Sequence, residues 1–311
     1  MWNDVKLAIF DIHQRCNTVL LSQPGLLNMF FSRYCGLNSS FINNYTNMED
    51  IIRKYWLKPS TYNTAVGIYA TVPFLMLPAL CIVNAPYGRF AGKLGIDWSL
   101  SGKWSWALME VISPIMFTSS IIFTRPTGTP FQILLSAAWI IHYVNRSIVY
   151  PFRAASMAPI HILAFVSSIF FNILNGYTNG VWVGRHSNAT DAQFWTGMLF
   201  WSLGFASNVY HDSILFRLRQ RSKNEDRQSA SRYFIPHGGL FEYVSCPNYF
   251  SETVEWLGYA LAAHSSVPAV IFSIATAANL FPRAWRTHQW YQNQFKDAYP
   301  QNRKAVVPFL L

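Results

Sequence analysis

Apolar residues run along this chain in long blocks, without the alternation of a half-buried strand or the one-sided stripe of a soluble amphipathic helix. Crossing a hydrocarbon core takes roughly 20 mostly apolar residues in a helix. Runs near that length occupy 62–83, 104–123, 131–150, 157–174, 194–208 and 254–281. The last is too long for one crossing and carries Ser265, Ser266 and Pro268 near its middle, so it predicts two helices broken there. The pattern therefore predicts an all-α integral membrane protein, a seven-transmembrane helix bundle over 61–311. Residues 1–60 form a more polar extension, suited to an interfacial helix or a cap.

Composition agrees. The 311 residues are 51% hydrophobic and only 12% charged, about half the charged fraction of a soluble domain. The net charge of +10 does not indicate nucleic acid, because the bases flank apolar runs as topology determinants do. The four cysteines (Cys16, Cys35, Cys81 and Cys246) stand alone, so neither a disulfide framework nor a metal site is predicted. The first residues mix acids and bases with apolar positions, unlike a cleavable signal peptide.

Charge between the runs sets the orientation. Arg89, Lys93 and Lys103 lie in 84–104, Arg125 alone in 124–130, Arg146 and Arg153 after the third run, and Arg185 alone in 177–193. Six bases follow in 209–250: Arg217, Arg219, Arg221, Lys223, Arg227 and Arg232. Positive charge favours the cytosolic side, which places 84–104, 151–156, 209–250 and the basic C-terminal tail in the cytosol. The N-terminus then falls in the lumen, although Arg53, Lys54 and Lys58 pull the other way. The sequons at Asn38, Asn44 and Asn188 fall in the luminal segments of this arrangement.

Ionisable groups inside apolar runs are costly and usually face a cavity or one another. Three polar groups stand out: Glu110 in the second run, the cluster His142, Tyr143, Asn145 and Arg146 in the third, and Asn208 with Asp212 at the end of the fifth. Each could be an interhelical hydrogen bond that only holds the bundle together. Their similar depth near the cytosolic ends favours a shared wet cavity. The following segment, Tyr233-Phe-Ile-Pro-His-Gly-Gly239 through Asn248 and Glu252, is rich in Gly, Pro, aromatic and amide groups, and it suits a ligand better than a lipid surface. Glycines there let the backbone turn tightly or approach a ligand, and nearby arginines suit phosphate. Neither a Gly-x-Gly-x-x-Gly fingerprint nor a Walker loop is present, so a dinucleotide would not sit on a Rossmann fold. On the residues alone, Tyr143 reads as an interfacial tyrosine before a catalytic one. Glu255 and Trp256 read as interfacial anchors of the sixth helix, Arg303-Lys304 as a solvated or lipid-facing pair, and His211 has no evident role.

These segments resemble the steroid 5α-reductase family, including its plant brassinosteroid-pathway members. The similarity is carried by Ile235 to Tyr259, Asn279-Leu-Phe-Pro-Arg-Ala284, His288-Gln-Trp-Tyr291 and the stretch from Phe295 to Phe309. Ala85-Pro-Tyr-Gly-Arg-Phe90, the Trp-Ala-Leu-Met-Glu110 segment, His142-Tyr143 and Asn145 to Phe152 also fit. The resemblance covers about 60–311 and implies a seven-helix fold in the endoplasmic reticulum membrane, NADPH as hydride donor and a 3-oxo-Δ4 steroid as acceptor. It implies that Tyr143 and Glu110 hold the 3-keto oxygen. Asn208, Asp212, Arg219, Tyr233, Asn248, Glu252, His288 and Tyr291 would line the cofactor cavity, with Tyr87 at its edge. Membrane lipid and a lipid-soluble enone are the expected partners, with no nucleic acid and no obligate protein partner. Phe234, Ser167 and the insert 222–231 depart from the mammalian pattern and leave the identity of the steroid open.

Overall fold

A computed structural model describes residues 50–82, 98–225 and 233–311. The chain divides at Lys58/Pro59 into two compact units. Of the first, a short helix over 50–56 is described. Tyr87, Asn38, Asn44, Cys16, Cys35 and most of the insert lie outside the described residues.

The second unit contains seven long helices among its described residues: α1 (Pro59–Ile82), α2 (Gly102–Thr124), α3 (Pro130–Val144), α4 (Ile162–Arg185), α5 (Ala192–Glu225), α6 (Pro247–Ala262) and α7 (Val267–Phe295). The start signals are local. Pro59, Pro130 and Pro247 open their helices and Pro268 is second in its own, where a missing N–H costs nothing. Thr129 and Gln132 close a reciprocal capping box on α3. The expected break in 254–281 is the turn His264–Ser265, both at positive φ, with the Ser265 amide donating back to the Ala260 carbonyl at 2.8 Å. Among the described residues, three helices are long and apolar enough to cross a membrane: Pro59–Ile82, Gly102–Thr124 and the segment Val267–Ala298. Side chains such as Phe74, Leu75 and Ile82 lie on the outside of α1.

Two helix pairs make the frame, and in each the close approach comes from glycine. Gly176, Gly180 and Gly184 recur every fourth residue on α4 and lie against Ser113, Phe117 and Thr124 of α2. Gly197 and Gly204 of α5 meet Gly258 and Glu255 of α6 in the same way. Small residues at such spacing let helix backbones approach closely enough for dispersion to hold them, where lipid removes the hydrophobic incentive. A two-residue antiparallel pair, β1 (Ser99–Leu100) with β2 (Ile160–His161), ties the starts of α2 and α4 together.

The core is aromatic. Trp139 of α3 is fully buried and meets five rings: Phe117 at 4.8 Å, and Tyr143, Trp256, Tyr259 and Phe272, each at 5.4 Å. Such pairs contribute about 0.5–1.5 kcal/mol each beyond their buried area. Helices α2, α3, α6 and α7 are thereby locked around Trp139, one turn before Tyr143.

Two sequence expectations are corrected. The fourth apolar run, expected over 157–174, is displaced: α4 starts at Ile162 and continues to Arg185, because its polar C-terminal half (Asn175, Thr178, Asn179) is buried against α1–α3. Glu255 and Trp256 are not interfacial, being 0% and 1% exposed. Helix α6 begins at Pro247, so both residues sit two turns inside the bundle.

Candidate functional site

Helix α3 does not stop at Val144 but widens into a π-turn, Asn145–Val149, before a last α turn, Tyr150–Arg153. The Tyr150 amide reaches the Asn145 carbonyl, five residues back, and the Ser147 hydroxyl donates to the Tyr143 carbonyl at 2.6 Å. Such turns shift the side-chain register and recur at functional sites. Here His142, Tyr143 and Arg146 all reach one cavity of ≈ 920 Å³ between α1, α2, α3, α4 and α7. Most of its lining is apolar, including Leu75, Met109, Ile160 and Phe272, and Ser167 is on its wall. That volume is within the usual range for small-molecule sites, about 300–1,000 Å³.

The polar groups gather at one end. Arg146 lies with its guanidinium 4.7 Å from the Trp106 ring centre and 5.1 Å from that of Tyr150. It faces two carboxyl groups, Glu110 at 3.9 Å and Glu252 at 3.7 Å. Glu252 continues the network: the Asn208 amide donates to its Oε2 at 3.5 Å and to the Asn248 carbonyl at 3.0 Å, and the Asn248 amide donates to Asp212 Oδ1 at 3.0 Å. Four of the expected cofactor residues, Asn208, Asp212, Asn248 and Glu252, thus form one chain behind Arg146. Asp212 Oδ2 is buried without a hydrogen-bond partner, so a free acceptor remains in that chain. Arg219, about two helical turns beyond Asp212 on α5, is bonded to Tyr150.

The other expected residues are elsewhere. Tyr233 lines a second groove of ≈ 630 Å³ with Tyr210, Ile214, Arg217, Arg221 and His237. Arg221 stacks on Phe234 at 4.7 Å. His288 and Tyr291 face the C-terminal tail: Ser245 Oγ is 2.6 Å from both His288 Nδ1 and the Tyr299 hydroxyl, and Tyr291 stacks on Tyr299 at 5.4 Å. Arg303 is 2% exposed, which corrects its reading as a solvated residue. It donates to the Pro236 carbonyl at 2.9 Å and pairs with Glu242 at 3.4 Å. The Gly238 amide donates to Glu242 at 2.6 Å, and that bond, with the Arg303 and His237 charges adding to it, holds the carboxyl below its ordinary range. Gly238 and Gly239, at φ 97° and 59°, supply the left-handed turn that brings the Leu240 amide to His211 Nε2 at 3.0 Å. His211 is therefore the anchor of this loop on α5.

The comparison with known proteins then fixes the family. A family model described as 3-oxo-5-alpha-steroid 4-dehydrogenase matches residues 158–311. Steroid 5-alpha-reductase DET2 of Arabidopsis thaliana is 36% identical over 279 residues, covering 85% of this chain and all of that protein. The chain belongs to the steroid 5α-reductase family. The protein of the same name from Solanum lycopersicum is 37% identical over 239 residues, covering 73% of this chain and 88% of its own length. The 3-oxo-5-alpha-steroid 4-dehydrogenase 1 of Bos taurus is 34% identical over 244 residues, with 75% and 90% covered. Plant and animal members of the family are thus matched to similar degrees over nearly their whole lengths.

Arg146, singled out in the polar cluster of the third run but given no role, links both carboxyl groups. Sequence reasoning missed two participants. Asn175, just beyond the end of the expected fourth span, donates to the Tyr143 hydroxyl. Tyr69 of α1, which belonged to an unremarkable apolar run, donates to Asn175. For Asn175 a signal existed, because two Asn residues four apart between glycines are costly in a membrane helix unless they are paired.

Proposed function

We propose that this chain reduces the Δ4 double bond of a 3-oxo-Δ4 steroid to the 5α-reduced 3-oxo steroid, using NADPH, as a seven-span protein of the endoplasmic reticulum membrane with its C-terminus in the cytosol. The observation that carries the reading is the cavity itself: an apolar space of ≈ 920 Å³ whose polar end presents Tyr143, Glu110, Arg146 and Glu252 together. A planar, mostly hydrocarbon substrate with one ketone needs such an asymmetric lining.

NADPH, when bound, supplies the hydride that adds to C5. The protein's part begins at the ketone oxygen, where negative charge collects as the enone becomes an enolate. A donor aimed at that oxygen stabilises the transition state more than the ground state. Tyr143 provides an O–H there. Glu110 provides a second when protonated, and Arg146, one cation between two carboxyl groups, balances the charge of the remaining carboxylate. The proton that completes the product at C4 is assigned to water. Asp212, with its unpartnered buried oxygen, suits the amide or hydroxyl donors of a nicotinamide riboside. Asn208, Asn248 and Glu252 support it, and Arg219 is assigned to phosphate. Tyr87, Tyr233, His288 and Tyr291 are assigned to the cofactor's outer parts, the last two through the C-terminal segment that they hold.

The test is turnover in microsomes that express the chain, supplied with NADPH and a panel of 3-oxo-Δ4 sterols, trans-2-enoyl-CoAs and polyprenols. Reduction of the sterols alone is expected, and activity confined to another lipid class would overturn the substrate. Tyr143→Phe is expected to lower kcat by about 10²-fold or more, the usual loss for one oxyanion donor. Unchanged kcat in that variant would remove Tyr143 from the mechanism.

A further inference from the structure

Tyr143 can donate to a substrate only if its own proton points into the cavity, and a phenol in a polar network can point several ways. The neighbours decide. Tyr143 is 2% exposed, and its hydroxyl oxygen lies 2.8 Å from Asn175 Nδ2 of α4. The other end of that amide, Oδ1, lies 2.8 Å from the Tyr69 hydroxyl and 3.1 Å from Asn179 Nδ2. Asn175 and Asn179 are 0% and 1% exposed, and Tyr69 is 0% exposed, so every group here must find its partner within the protein.

The orientation of the Asn175 amide follows from a backbone atom that cannot be turned round. Asn179 places one side-chain atom 3.0 Å from the Asn175 main-chain carbonyl. A carbonyl only accepts, so that atom is the NH2 group. The same NH2 faces the Asn175 side chain, which must present its oxygen to it. Tyr69 then donates to that oxygen, and the Asn175 NH2 is left facing Tyr143. A Tyr143 oxygen that accepts from Asn175 has its O–H free to donate on another side. Ser113 is the other hydrogen-bonding neighbour of this hydroxyl, and it can hold the proton until a ketone oxygen takes it.

We infer that Asn175 is a positioning residue for the reaction: held by Tyr69 and Asn179, its amide fixes the direction in which Tyr143 donates. The donated hydrogen bond also polarises the phenol, since hydrogen bonds in a chain strengthen one another in a low-dielectric interior. The inference rests on the proposed role of Tyr143, and the experiment separates the two.

The measurement is steady-state kinetics of detergent-purified full-length chain for Asn175→Asp, Tyr143→Phe and the double variant. A carboxylate at position 175 is the same shape but accepts where the amide donates, so it turns the Tyr143 proton away from the cavity. We expect Asn175→Asp alone to lower kcat by about 10²-fold, close to the loss of one oxyanion donor, with the KM for NADPH unchanged. In the Tyr143→Phe background the same change should cost less than about two-fold, because groups that act as a unit are not additive. A full-sized further loss in that background would make Asn175 merely structural and overturn the inference, as would wild-type kcat in the single variant. If Asn175→Asp does not fold, Tyr69→Phe replaces it. That variant should lower kcat several-fold in the wild-type background and not in Tyr143→Phe, and equal losses in both would overturn the inference. Wild-type kcat in Tyr143→Phe would instead refute the proposed mechanism, and this inference with it.

Discussion

Gly180→Ala tests whether the α2–α4 contact positions the site. A methyl group built on Gly180 would lie 2.5 Å from the Phe117 carbonyl oxygen and 2.9 Å from both Phe117 Cα and Ser120 Cβ. Comfortable non-bonded carbon contacts are at about 3.5–4.0 Å, so the helices must part by roughly 1 Å. Backbone cannot swing aside as a side-chain tip can. Overpacking of this kind costs about 1–3 kcal/mol, and a gap of 0.5–1 Å forfeits a quarter to a half of each contact's attraction along the interface. The same movement strains the Asn172 amide, which donates to the Met109 carbonyl at 2.7 Å, one residue before Glu110. Displacement of a reacting group by about 1 Å can cost 10²-fold in rate. Thermal inactivation in detergent and sterol turnover measure the two effects, with Gly67→Ala as control, since nothing lies within 4 Å of a methyl group there. Gly180→Ala is expected to lower both inactivation temperature and kcat, and Gly67→Ala neither. Wild-type values for Gly180→Ala would refute close packing as the device that places Glu110.

Arg219→Ala should raise the KM for NADPH about ten-fold, the loss of a charge-assisted bond worth roughly 1.4 kcal/mol, with little effect on kcat; an unchanged KM in steady-state kinetics would exclude Arg219 from phosphate binding. Glu242→Gln should weaken the anchoring of the 233–242 loop near neutral pH, measured as faster proteolysis of that loop. The folded-state value of Glu242 is lowered, by the Gly238 amide first, so its contribution is complete above the ordinary carboxylate value of 4.5 and fades as pH falls through the folded value. The difference between wild type and variant should therefore vanish below that window, and a difference that grew on acidification would refute the reasoning.

Much of the bundle was legible because its physics is local. Apolar length gave the helices, and Ser265–Pro268 gave the break between α6 and α7. What escaped depended on partners distant in sequence. Helix α4 was cut short because Asn175, Thr178 and Asn179 lower the local hydropathy, although burial of those side chains against other helices satisfies them. The Gly176-x3-Gly180-x3-Gly184 stripe was visible and would have extended the helix had it been read as a packing motif. Glu110, Arg146, Asn208 and Asp212 stood out as costly polar groups, and the fold joins them through Glu252 and Asn248. The π-turn at Asn145–Val149 had no sequence signature. Ser147, whose hydroxyl meets the Tyr143 carbonyl, gave no hint of it. Glu255 was misplaced for a simple reason: the apolar run starts at Val254, whereas the helix starts at Pro247, and the 2.6 Å contact between Glu255 and His142 needs the third helix to be seen.

The two ends of the cavity answer to different solvents, which gives a physical reason to build this site among membrane helices. Leu75 of α1 lines the cavity and is nevertheless 70% exposed. On α4, Leu163 and Phe170 also line it, at 64% and 52% exposed. Side chains that are both wall and outer surface mark the rim of an opening, and here that rim is apolar on both helices. An apolar rim costs nothing against lipid and would be an aggregation liability against water. At the opposite end, Glu252 and Asn248 lead to Asn208 and Asp212 of α5, whose far end carries Arg217, Arg219, Arg221 and Lys223. On the proposed function, a hydrocarbon ketone approaches through the α1–α4 rim without leaving the bilayer, while a charged dinucleotide approaches from the basic side without entering it. On that reading Tyr143 and Glu110 stand where the two approaches meet, which is where an enone oxygen and a hydride donor have to be brought together.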